Sequence, residues 1–214
     1  MKTKLAIIFV SFLFLVSCKI GGIKGNGEEI VETRELNSFN KIDVSGNFDV
    51  EVVSGKTQKI EIFSETNLIG YIKTNVKGNT LYIYSKENLR PTIDSHIDIS
   101  VPELVAIECS GANSIYATGI AADDFNIDLS GAGSINIEGK TKNLNIDVSG
   151  AADLSANNFI SENLIIDVSG AANAEIYASN SAVADVSGAG NIELYGDAKN
   201  VKTDVSGAGS LVRK

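Results

Sequence analysis

Hydrophobic and polar residues alternate strictly in short segments along most of the chain. The clearest segments are residues 134–138, 144–149 and 191–195, in which every second residue is apolar. A period of two is typical of a β-strand that buries one face. Small or polar residues follow each segment, so the pattern predicts many short strands separated by tight turns.

One motif recurs in phase with these segments, and its copies read E-C-S-G-A-N or D-L/V-S-G-A-A/G. Its glycines recur every 18 to 20 residues, at Gly111, Gly131, Gly150, Gly170, Gly188 and Gly207. A further copy, D-V-S-G-N-F at residues 43–48, lies outside this regular series of spacings. Units this short cannot bury a face alone, so tandem copies predict a stack of coils with parallel pairing. The fold class is therefore all-β, a single-stranded parallel β-helix (solenoid) with coils of about 19 residues.

Stacking in register predicts columns of inward side chains. One wall holds Ile127, Ile146 and Ile166 beside Leu129, Val148, Val168, Val186 and Val205. The next wall holds Ile115, Ile135, Leu154 and Ile192. Cys109 occupies the position of Leu129, so we expect it to point inward as a small apolar residue.

Three other β folds fit less well. A left-handed β-helix uses six-residue units, and no six-residue period is visible here. A calcium-binding roll needs a nine-residue glycine–aspartate repeat, which is missing. A β-sandwich would not produce copies this similar.

The first part of the domain is less regular. Residues 36–105 are expected to form the first coils, with excursions near residues 64–76 and 86–96. Gly78-Asn79 before an alternating segment predicts a hairpin-like turn, and a short helix is expected within residues 67–72. No linker separates this part, so residues 37–214 are predicted to form one domain.

The N-terminus has the form of a secretory signal. Two lysines precede the apolar run of residues 5–16, which is shorter than the roughly 20 residues of a membrane span. The run ends at Ser17-Cys18, and a small residue before a cysteine at this place resembles the bacterial lipobox. Residues 1–17 are thus predicted to be a lipoprotein signal peptide and Cys18 the lipidated residue, an ordinary signal peptide or signal anchor being the alternative. Residues 18–36, which include the lipidated cysteine, are rich in glycine and are predicted to form a flexible tether.

Net charge and composition disfavour some classes of binding partner. The formal net charge is −9, and loss of residues 1–17 removes two lysines and makes it −11. Nucleic-acid partners are disfavoured, because their phosphates require lysines and arginines. The chain has one histidine and two cysteines, and lipidation of Cys18 would leave Cys109 without an intrachain disulfide partner.

Several of these segments together resemble a known family. The opening K-I-D-V-S-G-N-F-D-V at residues 41–50, the segment G-N-T-L-Y-I at residues 78–83 and the tandem D-V-S-G-A-G series are similar to the head GIN domain family of putative auto-transporter adhesins. The resemblance covers about residues 37–212. It implies a right-handed β-helix without catalytic residues, in lipoproteins of Bacteroidetes, and a role in adhesion.

One outward column consists of carboxylates. Its members are Asp128, Asp147, Asp167, Asp185 and Asp204, with Glu108 at the equivalent position. Such a column is a candidate Ca²⁺ site, because Ca²⁺ takes carboxylate oxygens. The structural alternative, which we favour, is that each Asp accepts hydrogen bonds from serine hydroxyls or backbone amides at the corner. No cofactor is predicted, Ca²⁺ being the one candidate.

A second outward wall is more varied. Candidate ligand-binding residues on it are Tyr116, Asn136, Glu175, Tyr177, Glu193 and Tyr195. Exposed tyrosines among amides and acids can contact sugar rings and donate hydrogen bonds, whereas an ordinary solvated face is the alternative. His96 between Asp94 and Asp98 could form a metal pair, but an outward surface histidine is favoured.

Three classes of function remain. The first is a lipid-anchored binding or adhesion module of the cell envelope, in the outer membrane, with a glycan or protein ligand. The second is a structural or self-assembling scaffold, since an uncapped last coil at residues 212–214 would favour a homo-oligomer. A carbohydrate-active enzyme is disfavoured, because equivalent aspartates in every coil mark no single active centre.

Overall fold

A computed structural model describes residues 21–214 of the chain. The predicted signal peptide and Cys18 lie outside these residues. The described part contains one 3-10 helix, Ile69–Tyr71, and is otherwise built from strands and turns. The strands are β1 (Ile23–Lys24), β2 (Glu29–Thr33), β3 (Lys41–Gly46), β4 (Asp49–Ser54), β5 (Lys59–Glu65), β6 (Lys73–Lys77), β7 (Thr80–Tyr84), β8 (Leu89–Arg90), β9 (His96–Val101), β10 (Ala106–Gly111), β11 (Ser114–Gly131), β12 (Ser134–Gly150), β13 (Asp153–Gly170), β14 (Asn173–Gly188), β15 (Asn191–Tyr195), β16 (Asn200–Gly207) and β17 (Ser210–Arg213).

The repeats stack as a parallel β-solenoid, as the sequence predicts. Each of β11 to β14 is 16 to 18 residues long and contributes to two walls of the stack. The motif glycines pair in register, so that Gly131 lies between Gly111 and Gly150. Parallel pairing continues through β15, β16 and β17.

The predicted inward columns form the core. Leu129, Val148, Val168 and Val186 are each at most 2% exposed, and so are Ile115, Ile135, Leu154 and Ile192 on the next wall. Phe125 and Phe159 fill the space between the walls and meet edge to face, with ring centroids 5.2 Å apart. Val205 continues the inward column, in register with Val186, but it is 41% exposed, because in the described residues no further coil lies beyond β16 to cover it.

The corner after each D-V-S segment requires glycine. Gly150 has a φ of +113°, and a Cβ added there would lie 2.3 Å from the carbonyl oxygen of Gly131. Successive coils therefore approach so closely at this corner that no side chain fits.

The early copy of the motif belongs to the ladder, although it lies outside the regular spacing along the chain. Asp43 pairs with Glu108 and Gly46 pairs with Gly111, so β3 stacks directly on β10. The chain between them crosses to the other side of β3 and β4, where β7 and β9 form the next layer. The period is thus interrupted along the chain but continuous in space.

Antiparallel strands close the end of the stack where the chain begins. β6 pairs with β7 across the predicted turn at Gly78-Asn79, and β5 pairs antiparallel with both β2 and β9. The 3-10 helix lies within the residues expected to be helical. This end is therefore a cap rather than a set of regular coils. The hairpin at Gly78-Asn79 is confirmed, whereas the antiparallel pairing of β5 with β2 and β9 was not predicted from the sequence.

The predicted flexible tether is folded over much of its length. β1 pairs with β8, and β2 pairs with β5. The carboxylate of Glu65 anchors the segment, because its Oε1 accepts hydrogen bonds from the Gly27 amide at 2.7 Å and the Thr92 hydroxyl at 2.6 Å. A glycine-rich composition indicated flexibility, but these small residues let the backbone pass close to a buried acid. No helix in residues 21–214 is long and apolar enough to cross a membrane.

Candidate functional site

The outward carboxylates form a straight column along the solenoid. Asp128, Asp147, Asp167, Asp185 and Asp204 follow one another in register, and Glu108 and Asp43 extend the series. Neighbouring members are one strand spacing apart, about 4.8 Å. A line of side chains that all point outward does not surround a common point. In residues 21–214, no group of three or more histidine, cysteine or acidic side chains is placed to hold a metal ion.

Asp43 differs from the other members because it is partly buried. Burial raises the pKa of its carboxyl group, and a hydrogen bond from the Ser45 hydroxyl at 3.3 Å opposes the rise. Asp128 adds a further upward contribution through charge repulsion. The contact between Asp43 and Ser45 is the kind expected for a structural aspartate at this corner.

The second outward wall brings most of the predicted binding residues into line. Tyr116, Asn136, Glu175 and Glu193 occupy successive positions of one column, with Ser155 between Asn136 and Glu175. Tyr177 pairs with Tyr195 in the neighbouring column. A shallow groove lined by the first column runs from Tyr116 to Glu175. The predicted residues thus share one face.

Four of these residues lie together at one end of the face. We call Glu175, Tyr177, Glu193 and Tyr195, with the adjacent Lys214, the tyrosine–glutamate patch. The Tyr195 hydroxyl donates to Glu193 at 2.9 Å, and Lys214 Nζ lies 3.1 Å from the other oxygen of Glu193. Tyr177 lies across Gly196, where an added Cβ would be 3.0 Å from the ring. The patch therefore combines two tyrosine rings with carboxylates and one ammonium group.

Interactions within the patch shift the pKa values of Glu193 and Tyr195. Hydrogen bonds from Lys214 and Tyr195 lower the pKa of Glu193, so this carboxylate is ionised at neutral pH. The same hydrogen bond to Glu193 raises the pKa of Tyr195, which keeps the phenol protonated. Tyr195 consequently presents a neutral hydroxyl beside a fixed negative charge.

Tyr116 lies apart from the patch. It is three coils from Tyr177, a separation of about 14 Å at one strand spacing per coil. Its side chain is 41% exposed, and its hydroxyl lies 3.3 Å from Glu138 Oε1. Desolvation and the charges of Glu138 and Glu51 raise its pKa. The structure therefore places Tyr116 at the far end of the groove.

A polar ladder that was not predicted from the sequence lines one side of this groove. Hydrogen bonds link Ser134 to Ser114, Asn173 to Asp153 and Asn191 to Asn173, and Ser210 donates to Asn191 at 2.9 Å. These residues are the first after the small-residue corner in each coil. Their recurrence as serine, aspartate or asparagine was the signal that could have revealed the ladder.

A cavity of about 80 Å³ near the antiparallel cap was also not foreseen. Phe48, Phe63, Leu68 and His96 are among its lining residues. Ligand pockets for drug-sized molecules are several times larger, about 300–1,000 Å³. The cavity is therefore too small to be the main binding site.

His96 and Cys109, the two other residues considered for chemistry, both lie in packing contacts rather than in a reactive site. The His96 ring stacks on Phe63 with centroids 4.3 Å apart, and its nitrogens lie 3.9 Å from Asp94 and Asp98, which is beyond hydrogen-bond distance. Cys109 points inward, as predicted, and burial raises the pKa of its thiol. A buried, protonated thiol is a poor nucleophile.

A family model described as "Putative auto-transporter adhesin, head GIN domain" matches residues 38–198 of the chain. The fold is similar to a crystal structure of a putative adhesin from Bacteroides fragilis, with 21% identity, a TM-score of 0.75, and coverage of 90% of this chain and 100% of that one. A putative adhesin from Parabacteroides merdae has 20% identity, a TM-score of 0.58, and coverage of 90% and 98%. A putative lipid binding protein from Parabacteroides distasonis has 20% identity, a TM-score of 0.53, and coverage of 90% and 99%. No curated protein matches the chain. The solved structures establish the shared β-solenoid fold.

Proposed function

The chain belongs to the head GIN domain family of putative auto-transporter adhesins, and from this premise we propose that it is a non-enzymatic adhesion module that binds glycans. The observation that carries the proposal is the tyrosine–glutamate patch. Its rings and its charged groups lie on one rigid wall, whose backbone is held by the hydrogen bonds of the stacked coils.

The chemistry of the patch suits a sugar. A tyrosine combines an apolar ring with a hydroxyl that both donates and accepts hydrogen bonds. The carboxylates of Glu193 and Glu175 accept hydrogen bonds from hydroxyl groups, and Lys214 donates them. The groove toward Asn136 and Tyr116 extends this surface, so a ligand longer than one sugar unit can contact several coils.

A glycan array probed with the purified chain, once with Ca²⁺ and once with EDTA, tests this function. We expect selective binding that persists in EDTA, because the carboxylates of the outward column lie in a line rather than around a point. Binding lost in EDTA would assign the ligand to the column, with Ca²⁺ as the bridging ion. No selective binding in either buffer would contradict a glycan ligand and favour a protein ligand.

We also propose that Cys18 anchors the module to the cell envelope, at the outer membrane. The motif at Ser17-Cys18 supports this, and several acyl chains on one residue provide stable anchoring. The folded segment from β1 leaves few residues between Cys18 and the domain, so the antiparallel cap would lie near the membrane and the tyrosine–glutamate patch away from it. Incorporation of labelled palmitate should be lost in Cys18→Ser and retained in Cys109→Ser.

A further inference from the structure

The two ends of the solenoid differ in whether antiparallel strands cover the edges of the stacked coils. Antiparallel β2 and β6 close the end near the N-terminus, as outer strands of the sheet. At the other end β16 pairs with β14 and β17 pairs with β15, and within residues 21–214 no strand pairs with their outer edges. An unpaired edge exposes a row of amide and carbonyl groups that can accept another strand.

The side chains of β16 continue the columns of the coil beneath. Val205 stacks on Val186, which is fully buried, yet Val205 is 41% exposed. On the outward face, Lys202 follows Val183 and Asp204 follows Asp185. The edge therefore carries apolar side chains on its inner face and two opposite charges on its outer face.

The sequence of β16 is complementary to itself when it is read backwards. Around Thr203 the strand reads Asn200-Val201-Lys202-Thr203-Asp204-Val205-Ser206. In an antiparallel pair centred on Thr203, Lys202 of each copy lies opposite Asp204 of the other. In the same register Val201 lies opposite Val205. Residues directly opposite each other share a face and lie about 4.5–5.5 Å apart, which is close enough for an ion pair.

We propose that a second copy of this chain docks tail to tail on β16, in the antiparallel register centred on Thr203. The two-fold axis makes the contact isologous and limits it to two copies. It forms two pairs between Lys202 and Asp204, covers Val205 and gives the unpaired amides of β16 their partners. It also separates Asp204 from the aspartate of the second copy.

Such a dimer would carry two tyrosine–glutamate patches on one particle. Tyr195 lies on β15, in the coil directly beneath the proposed contact. Two sites on one particle bind a repetitive ligand more tightly than one site, through effective concentration. The dimer itself does not depend on glycan binding, so the two proposals can fail separately.

The register is tested by exchanging the charges of Lys202 and Asp204 and measuring the dissociation constant of the dimer by sedimentation equilibrium. We expect the purified chain to be a dimer, and both Lys202→Asp and Asp204→Lys to raise the dissociation constant at least tenfold, because each places two like-charged pairs across the axis. The double variant restores opposite charges and should return to the dissociation constant of the unchanged chain. Asp147→Lys, in the same outward column but away from the end, should leave the dimer unchanged.

A monomeric unchanged chain, open-ended polymers, or a double variant as weak as the single variants would overturn the proposal. Circular dichroism of each variant verifies that it is folded.

Thr203→Cys supplies a second measurement, since the two cysteines would face each other across the axis within the range of a disulfide. Oxidation should link this variant into a covalent dimer, whereas Lys199→Cys should stay unlinked, and linkage of Lys199→Cys alone would exclude the proposed register.

Discussion

The side-chain nitrogen of Asn113 donates a hydrogen bond to the carbonyl oxygen of Val44, 3.2 Å away and 69 residues earlier in the chain. The same nitrogen donates to the Ser110 carbonyl at 2.7 Å, and its Oδ1 accepts from the Phe48 amide at 3.0 Å. Asn113 thus joins the coil of β3 and β4 to the coil that follows it in space.

Replacing Asn113 should destabilise the fold at the junction of β3 and β10, which are adjacent in space but far apart in the chain. Asn113→Ala leaves the buried acceptor and donor partners without hydrogen bonds, at a cost of about 1–3 kcal/mol for an unsatisfied buried group. Urea unfolding measures the change in the free energy of unfolding. Asn136→Ala, on the exposed wall, is the matched control and should change it by less than about 0.5 kcal/mol. Equal stability of the two variants would show that the Asn113 contacts contribute little.

The corner glycines should be intolerant of any side chain. Gly150→Ala places a Cβ against the Gly131 carbonyl and also strains a positive φ, a conformation that alone costs about 1–3 kcal/mol. Gly70→Ala is the control, because no atom lies within 4 Å of its added Cβ. Thermal unfolding should show a clear loss of Tm for the first variant and little change for the second. A Gly150→Ala protein as stable as the control would contradict the close approach of the coils.

The regular part of this fold was predictable because every coil repeats the same local rule. Alternation fixed which residues point inward, and the glycine corner fixed the period. The position of β3 was not predictable, since the residues that separate it from β10 fold on the other side of it. The folded β1 and β2 were missed for a similar reason: the acid that holds them, Glu65, is distant in sequence.

The tyrosine–glutamate patch was only partly predictable. The column of Tyr116 and Glu193 follows from the period. The separation of Tyr116 from Tyr177 follows from the three coils between them. The role of Asn113 was not predictable, because the coils that follow hold glycine or alanine at this position, such as Gly133 and Ala152.

The contribution of Glu65 to stability should depend on pH. Burial raises its pKa, but hydrogen bonds from Thr92 and Gly27 outweigh this and leave the pKa below its usual value. Its stabilising effect is therefore complete above the pKa of an unfolded glutamate and is lost as the pH falls through the lower pKa of the folded state.

Glu65→Gln tests this behaviour. Its urea midpoint should lie below that of the unchanged chain at pH 7, and the gap should narrow at acid pH as Glu65 becomes protonated. Glu87→Gln, at an exposed position, should show no gap. A gap that stays constant with pH would mean that the charge of Glu65 is not what holds the N-terminal segment.

The interior should respond strongly to loss of its largest rings. Phe159 is fully buried against Phe125, and Phe159→Ala should reduce the free energy of unfolding by about 3–5 kcal/mol. Ile160 is the next residue and is 44% exposed, so Ile160→Ala should cost far less. Equal losses in urea unfolding would contradict the assignment of inward and outward positions in this coil.

The decisive experiment is a glycan array probed with the double variant Tyr177→Ala, Tyr195→Ala. Tyr71→Ala, which removes an exposed tyrosine near the antiparallel cap, is the control. We expect the double variant to lose at least tenfold in binding to the glycans that the unchanged chain selects, and the control to bind them as the unchanged chain does. Undiminished binding by the double variant would contradict the assignment of the tyrosine–glutamate patch as the adhesion surface.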